Sequence, residues 1–143
     1  MSNAHFKKLE KIYLDANLNK VIYRNTEIII SKNHSEIKMP INEDYFHALN
    51  AIHGSVYFKM LDDAAFFAAQ SVVEDYMLLT ASFNITFKMP VPYGWIKSKG
   101  KLLSVSEKEF IAEAKMYNSK NEIVAFGNGV FKKSKIGIDL IKD

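Results

Sequence analysis

The amino-acid sequence predicts an α+β protein in which a curled antiparallel sheet wraps around one long central helix. Residues 53–73 are an apolar run without proline, long enough for a helix of about five turns. Because the run is apolar on most sides, the helix is expected to lie in a protein core. Four alanines within it allow a sheet to approach closely: Ala64, Ala65, Ala68 and Ala69. Four strand patterns follow between residues 78 and 132, and the short turns between them are typical of antiparallel neighbours.

Length and composition are those of a globular protein of ordinary size. The 143 residues are 48% hydrophobic and 24% charged, which predicts a single domain over residues 1–143 and argues against disorder. The lysines are dispersed and the net charge is only +3, so we expect no nucleic-acid partner. The chain has no cysteine, which excludes disulfides and thiolate metal sites. The first residues lack the apolar core of a signal peptide, so we expect a cytoplasmic protein.

The segments before the long helix predict one helix and one hairpin. Apolar side chains at helical spacing, separated by lysines, predict a short amphipathic helix over about residues 5–16. Residues 26–31 are rich in β-branched side chains and residues 36–40 return after a turn, so the two segments make a β-hairpin. Residues 41–52 show no steady period, and we expect a loop that can carry functional groups.

The segments after the long helix predict a meander of four strands. Alternation over residues 78–89 predicts a strand with one core face. Turn residues then separate further strands over residues 95–105, 110–116 and 123–132. We expect residues 134–143 to form a tail.

Two adjacent aspartates interrupt the apolar run of the long helix. Such charges are costly at the centre of a bilayer, so the helix is not expected to cross a membrane. At helical spacing Asp63 shares a polar lane with Lys59 and Gln70, which gives it an ion-pair partner. Asp62 lies about 100° away, in a lane whose members cannot neutralise it: Ser55, Phe58, Ala65 and Ala69. An unpaired carboxylate in such surroundings has a raised pKa, a catalytic task, or both.

The residues at the start of the long helix resemble a known family. His53-Gly54-Ser55, followed by Asp62 nine residues after His53 and by Ala64, is similar to the HGG-x6-D-x-A signature of hotdog-fold acyl-CoA thioesterases. These are the phenylacetate-pathway-type members of the 4-hydroxybenzoyl-CoA thioesterase superfamily. Ser55 replaces the second glycine of the signature.

Downstream patterns continue this resemblance. The strand pattern over residues 79–90 ends in a proline and residues 123–131 match the closing strand, so the resemblance covers roughly residues 35–132. It implies a hotdog fold, in which the sheet wraps the central helix and two subunits pair edge to edge, with active sites at the interface. The implied partners are an acyl-CoA substrate and further copies of the chain, as a dimer or a dimer of dimers. We expect no cofactor and no metal.

The resemblance also implies roles for individual residues. Asp62 matches the acid that acts as general base or nucleophile on the thioester. Gly54 matches the residue whose backbone N–H polarises the thioester carbonyl, and His53 directly precedes it. Thr80 lies where some members of the family have a hydroxyl residue that helps to hold the water. His47 stands where better-known members carry an asparagine that orients the carbonyl or the water. Further candidates for substrate binding are Asn50, Ser55, Ser82, Lys132 and Lys133.

Helix geometry favours a site shared between two subunits. Nine residues of helix correspond to about 13 Å between His53 and Asp62, so Asp62 does not easily serve a carbonyl held at its own Gly54. The helix start of a second subunit is the better partner, because its first N–H groups are free and its dipole favours negative charge.

Alternatives to this interpretation stay open. Asp62 could be a structural carboxylate, the two histidines could be structural, and Thr80 could belong only to the polar face of a strand. The protein could also be a hotdog hydratase or dehydratase, or a non-catalytic acyl-CoA sensor. A sensor would still bind acyl-CoA after substitution of Asp62 by asparagine or alanine, and its wild type would not hydrolyse the ligand.

Overall fold

The computed structural model of the protein describes residues 3–141 and shows the predicted order of elements. The helices and strands, in chain order, are α1 (Asn3–Asp15), β1 (Glu27–Ser31), β2 (His34–Pro40), α2 (Gly54–Gln70), β3 (Tyr76–Phe87), β4 (Trp95–Val105), β5 (Phe110–Asn118) and β6 (Ile123–Gly137). A π-helical turn, Leu18–Ile22, follows α1. One 3-10 turn, Glu43–Tyr45, precedes α2, and another, Ile138–Leu140, follows β6. In the described range, no helix combines the length and the apolar character needed to cross a membrane.

The six strands form one antiparallel sheet in the order β1-β2-β4-β5-β6-β3. Within the described residues β3 pairs only with β6, so β1 and β3 are the two edges of the sheet. The prediction of a four-stranded meander was therefore wrong for β3, which does not pair with the next strand, β4; β4 pairs with β2 instead, and such pairing between distant strands leaves no local signal in the sequence. A register shift between Thr80 and Ser82 marks a bulge in β3. Bulges bend a strand locally and re-aim its side chains, and they are common beside active sites.

α2 packs against the sheet through its smallest side chains. The four predicted alanines are 0% exposed. The hydroxyl of Ser35 donates a hydrogen bond to the Ala64 carbonyl, and Gly100 lies where a Cβ would overlap that same carbonyl. The close approach of helix and sheet that the alanines predicted is therefore present in the fold.

The C-terminal residues differ from the predicted tail. β6 continues to Gly137 instead of ending at Lys132. Gly137 pairs with Tyr76 at the start of β3, and Ile138 is 2% exposed with its N–H bonded to the Asp75 carbonyl. The prediction of a tail from residue 134 was wrong for the described residues, because the hydrogen bonds that order them come from a distant strand.

Two predictions of burial were also wrong. On the expected core face of β3, Phe83 and Ile85 are only half-buried and Phe87 is 55% exposed. β3 is an edge strand, so its apolar face is only partly covered. Gln70 is fully buried rather than on a polar lane with Asp63, and its amide hydrogen-bonds the backbone that follows the helix.

Candidate active site

Asp62 lies on the side of α2 that faces β3. Thr80 Oγ1 donates a hydrogen bond to Asp62 Oδ1 at 2.9 Å. Within residues 3–141 no lysine, arginine or histidine forms a salt bridge with this carboxylate, whereas Asp63 has one with Lys59. The two aspartates thus have the different surroundings that helical spacing predicted.

The surroundings of Asp62 favour its neutral form. Burial raises the pKa of Asp62 from 3.8 to about 6. The Thr80 hydrogen bond and the charge of Lys59 lower the pKa, and the charge of Asp63 raises it, without cancelling the effect of burial. A carboxylate with a pKa of about 6 is still ionised at neutral pH, and it is a better base there than an ordinary aspartate.

Asp63 belongs to a polar network that joins α2 to the N-terminal segment. Lys59 Nζ lies 2.7 Å from Asp63 Oδ2, and Tyr13 OH donates to the same oxygen at 2.6 Å. Lys59 also donates to Tyr13 OH at 3.0 Å and to Asn19 Oδ1 at 2.6 Å. Burial and then the charge of Asp63 raise the pKa of Tyr13, so its phenol stays protonated and acts as a donor. The ion pair predicted for Asp63 is confirmed.

An apolar cavity of about 530 Å³ opens beside Asp62. Its walls come from the N-terminal segment, α2, β3 and the end of β6, and they include Phe66, Leu79 and Ile136. Sequence reasoning missed the N-terminal part of this wall, to which Leu18 belongs. A contact between segments some forty residues apart leaves no local signal in the sequence.

The start of α2 carries a second group of candidate residues. His53 is the N-cap: its Nδ1 accepts a hydrogen bond from the Ser55 N–H at 3.0 Å and lies 2.9 Å from Ser55 Oγ. Gly54 is the first helical residue, so its N–H has no acceptor within the helix. A Cβ on Gly54 would come within 3.5 Å of the Phe87 ring, an ordinary contact, so packing alone does not require glycine there.

His47 lines the same groove as Gly54. The groove has a volume of about 320 Å³, and Tyr57 and Phe87 also line it. The Leu49 N–H donates to His47 Nδ1 at 3.0 Å, which holds the ring and places the proton of a neutral imidazole on Nε2.

The remaining candidates line neither cavity. Asn50 occupies a turn with a φ of 63°, which asparagine adopts more readily than most residues. Ser82 is exposed on β3 just beyond the bulge. Lys132 and Lys133 are each paired with a surface carboxylate, at 3.6 and 3.3 Å.

The candidate residues therefore form two half-sites. The acid half-site consists of Asp62 and Thr80, and the helix-start half-site consists of His47, His53 and Gly54. The two cavities share no lining residue, and the eight helical steps along α2 from Gly54 to Asp62 correspond to about 12 Å. The first half-site can accept a proton, and the second can stabilise negative charge.

Comparisons with known proteins agree with the fold described above. A family model described as the thioesterase superfamily matches residues 49–125, more than half of the chain. No curated protein sequence matches significantly. Among solved structures, the PaaI protein from the phenylacetic acid degradation operon of Escherichia coli is 14% identical with a TM-score of 0.82, covering 93% of this chain and 95% of its own.

Two further solved structures show the same likeness. A thioesterase from Haemophilus influenzae is 12% identical with a TM-score of 0.76, covering 89% of this chain and 88% of its own. An aspartate-to-alanine mutant of a hypothetical thioesterase from Streptococcus pneumoniae is 12% identical with a TM-score of 0.73, covering 78% and 93%. At these identities the structural likeness shows the fold, and the family model shows the family. The chain therefore belongs to the thioesterase superfamily and has the hotdog fold.

Proposed function

We propose that the protein hydrolyses acyl-CoA thioesters to a free acid and CoA, at a site that two subunits share. The observation that carries this proposal is Asp62: a half-buried carboxylate with a pKa of about 6, bonded to Thr80, in the wall of an apolar cavity. Membership of the thioesterase superfamily supports the reaction type.

The reaction asks little of the protein, because a thiolate is a good leaving group. In the general-base route Asp62 takes a proton from water, and the water oxygen bonds to the thioester carbon. The C–S bond then breaks and the CoA thiolate leaves, after which it takes up a proton. In the nucleophilic route Asp62 itself bonds to the thioester carbon as the C–S bond breaks and the CoA thiolate leaves, and water then hydrolyses the resulting anhydride to the free acid and Asp62. Both routes need the ionised carboxylate.

The negative charge that develops on the carbonyl oxygen needs donors. The Gly54 N–H has no acceptor within its helix, and the helix dipole favours negative charge at this end. His47 lines the same groove, and its Nε2 carries the proton when Nδ1 accepts from Leu49. These groups are the oxyanion donors of the proposed site.

Two subunits are required because one subunit separates the parts. Gly54 and Asp62 lie about 12 Å apart along α2 and line different cavities. A second copy that places its helix start against this subunit's Asp62 would unite an acid half-site with a helix-start half-site. The exposed edge of β3, which has no strand partner beyond it in the described chain, is the natural surface for that pairing.

Thiol release from a panel of acyl-CoAs tests the proposal. Wild type should release thiol from at least one acyl-CoA, and Asp62→Asn should be slower by a factor of at least about 100, because a positioned base contributes that much. Glu74→Gln, an exposed acid just after α2, is the matched control and should keep wild-type activity. No thiol release from any acyl-CoA would overturn the proposal, and binding without turnover would indicate a sensor.

A further inference from the structure

The N-terminal segment supplies one wall of the cavity beside Asp62. We call this the N-terminal wall, and it consists of Tyr13, Ala16, Leu18 and Asn19. Leu18 opens the π-helical turn Leu18–Ile22. Such turns are rare and occur frequently at functional sites. The turn and the cavity are thus two independent observations at the same place.

A network of buried polar groups holds this wall against α2. Asn19 is 6% exposed, donates to the Tyr13 carbonyl at 2.8 Å and accepts from Lys59 at 2.6 Å. Tyr13 is 5% exposed and shares Asp63 with Lys59. A fully satisfied buried network fixes its members in one arrangement. Tyr13 and Asn19 therefore anchor the wall to α2.

Most of the side chains that line the cavity are apolar, and several of these are partly open to solvent. Leu18 is 47% exposed, and Leu79 and Ile136 across the cavity are 56% and 48% exposed. A concave apolar surface with a few polar groups is typical of a small-molecule site. Here the polar groups include Asp62 and Thr80, so a thioester carbon at Asp62 would place the apolar acyl group, and not the charged CoA, against these walls.

We propose that the N-terminal wall selects the acyl group, with Leu18 and Ala16 limiting the length of an apolar acyl chain whose thioester lies at Asp62. This inference rests on the proposed function and adds its substrate class: acyl-CoAs with a compact apolar acyl group, such as a medium-length chain or an aromatic ring. A volume of about 530 Å³ is within the range of pockets that hold whole small ligands, so such a group fits.

Two substitutions change the wall in opposite directions. Leu18→Ala enlarges the cavity and should raise the ratio of kcat/KM for dodecanoyl-CoA over butyryl-CoA by about tenfold, the scale on which methylenes in an apolar pocket discriminate. Ala16→Leu narrows the cavity and should lower the ratio by a similar factor. Val21→Ala is the matched control, because Val21 is 60% exposed on the same turn and does not line the cavity. Both wall positions are exposed, and thermal melts confirm that each variant folds.

Binding of non-hydrolysable thioether analogues of the same acyl-CoAs separates this inference from the proposed function. If wild type releases no thiol but the two variants shift the chain-length preference in binding, hydrolysis is wrong and the wall is supported. If wild type is active but each variant changes kcat/KM and analogue affinity by the same factor for every chain length, the wall inference is overturned. That result is expected if a second subunit fills the cavity. If wild type shows no turnover and binds no analogue, the proposed function and the wall inference are both overturned.

Discussion

Asp62 and Asp63 show how one step along a helix changes the chemistry of a carboxylate. The two residues are neighbours in sequence, but the helix turns them about 100° apart. Asp63 meets Lys59 and Tyr13, so its charge is compensated. Asp62 accepts a hydrogen bond from the Thr80 hydroxyl but forms no salt bridge within residues 3–141, and burial raises its pKa to about 6. The same side chain is structural at one position and suited to base catalysis at the next.

Replacing Thr80 with valine should move the pH profile of hydrolysis. The hydrogen bond from Thr80 lowers the pKa of Asp62, so its loss raises that pKa further. In the proposed mechanism Asp62 must be ionised to react, so kcat/KM of wild type should fall as the pH drops below about 6. In Thr80→Val this acid limb should lie up to about one pH unit higher, the equivalent of one modest hydrogen bond to a charged group.

Thr86→Val is the control for this measurement, because Thr86 is exposed on the same strand and away from Asp62. Its acid limb should coincide with that of wild type. An acid limb that stays in place or moves to lower pH in Thr80→Val would show that Thr80 does not tune the reacting carboxylate.

For individual residues, the sequence predicted which side chains share a face of the long helix, but not the contacts that depend on the surrounding backbone. Helical spacing separated Asp62 from Asp63, because it follows from the chain alone. It could not predict the place of Gln70, since the backbone groups that its amide satisfies come from the turn after the helix. It also could not show that His53 caps the helix through Ser55, because a cap depends on the local backbone geometry.

The start of α2 is the element on which oxyanion binding depends in the proposed mechanism. Proline is tolerated at the first position of a helix and removes the backbone N–H. His53, with a φ of −66° and a ψ of 150°, already has the conformation that a following proline requires. Gly54→Pro should therefore fold with little loss of stability, while kcat falls by a factor of about 100 or more for the lost oxyanion donor.

Gly54→Ala is the matched control, because it keeps the N–H and its Cβ fits beside Phe87. Its kcat should stay within a few-fold of wild type. Circular dichroism and thermal melts establish that both variants keep the helix. Equal activity of folded Gly54→Pro and Gly54→Ala would show that this N–H takes no part in the reaction.

The link between the N-terminal segment and α2 depends on Lys59. Its side chain is 11% exposed and lies over the rings of Tyr13 and Tyr23, at 4.9 and 4.8 Å from their centroids. Lys59→Met leaves the charge of Asp63 poorly compensated, which should cost about 3 kcal/mol of unfolding free energy. This corresponds to a loss of about 10 °C in melting temperature for a protein of this size.

Two comparisons test that explanation of the Lys59 effect. Lys59→Met combined with Asp63→Leu removes both charges and should recover most of the loss, because a pair is costly mainly when one partner remains. Lys7→Met breaks an ion pair whose lysine is 77% exposed and should change stability by less than about 1 kcal/mol. A double variant no more stable than Lys59→Met would show that packing of the lysine stem, and not its charge, holds the segment.

Element order was predictable from the sequence, but the edges of the elements were not. The apolar run and the turn residues between the strands are local signals, and they produced the observed sequence of helices and strands. The extension of β6 to Gly137 depends on pairing with β3, and the partial exposure of Phe87 depends on β3 being an edge strand. Both are properties of strand order, which no local pattern contains.

At the scale of the whole molecule, the proposed function depends on association, because the two half-sites lie apart in one subunit. Leu79 and Phe87 are 56% and 55% exposed on the edge strand β3, which contributes side chains to both cavities. Exposed apolar side chains on an unpaired strand edge favour pairing with another chain. In a two-fold symmetric dimer each contact occurs twice, so two shared sites would form.

Mixing two inactive variants tests whether the site is shared. Asp62→Asn keeps its helix start and Gly54→Pro keeps its acid, so a mixed dimer would contain one complete site of its two. Random reassociation of equal amounts makes about half of the dimers mixed, and thiol release should recover to about a quarter of the wild-type rate. Asp62→Asn mixed with the doubly substituted chain should recover nothing, because neither chain supplies the acid. If the first mixture also stays inactive while light scattering shows dimers, each subunit must hold its own complete site, and the separation of the parts along α2 would need another explanation.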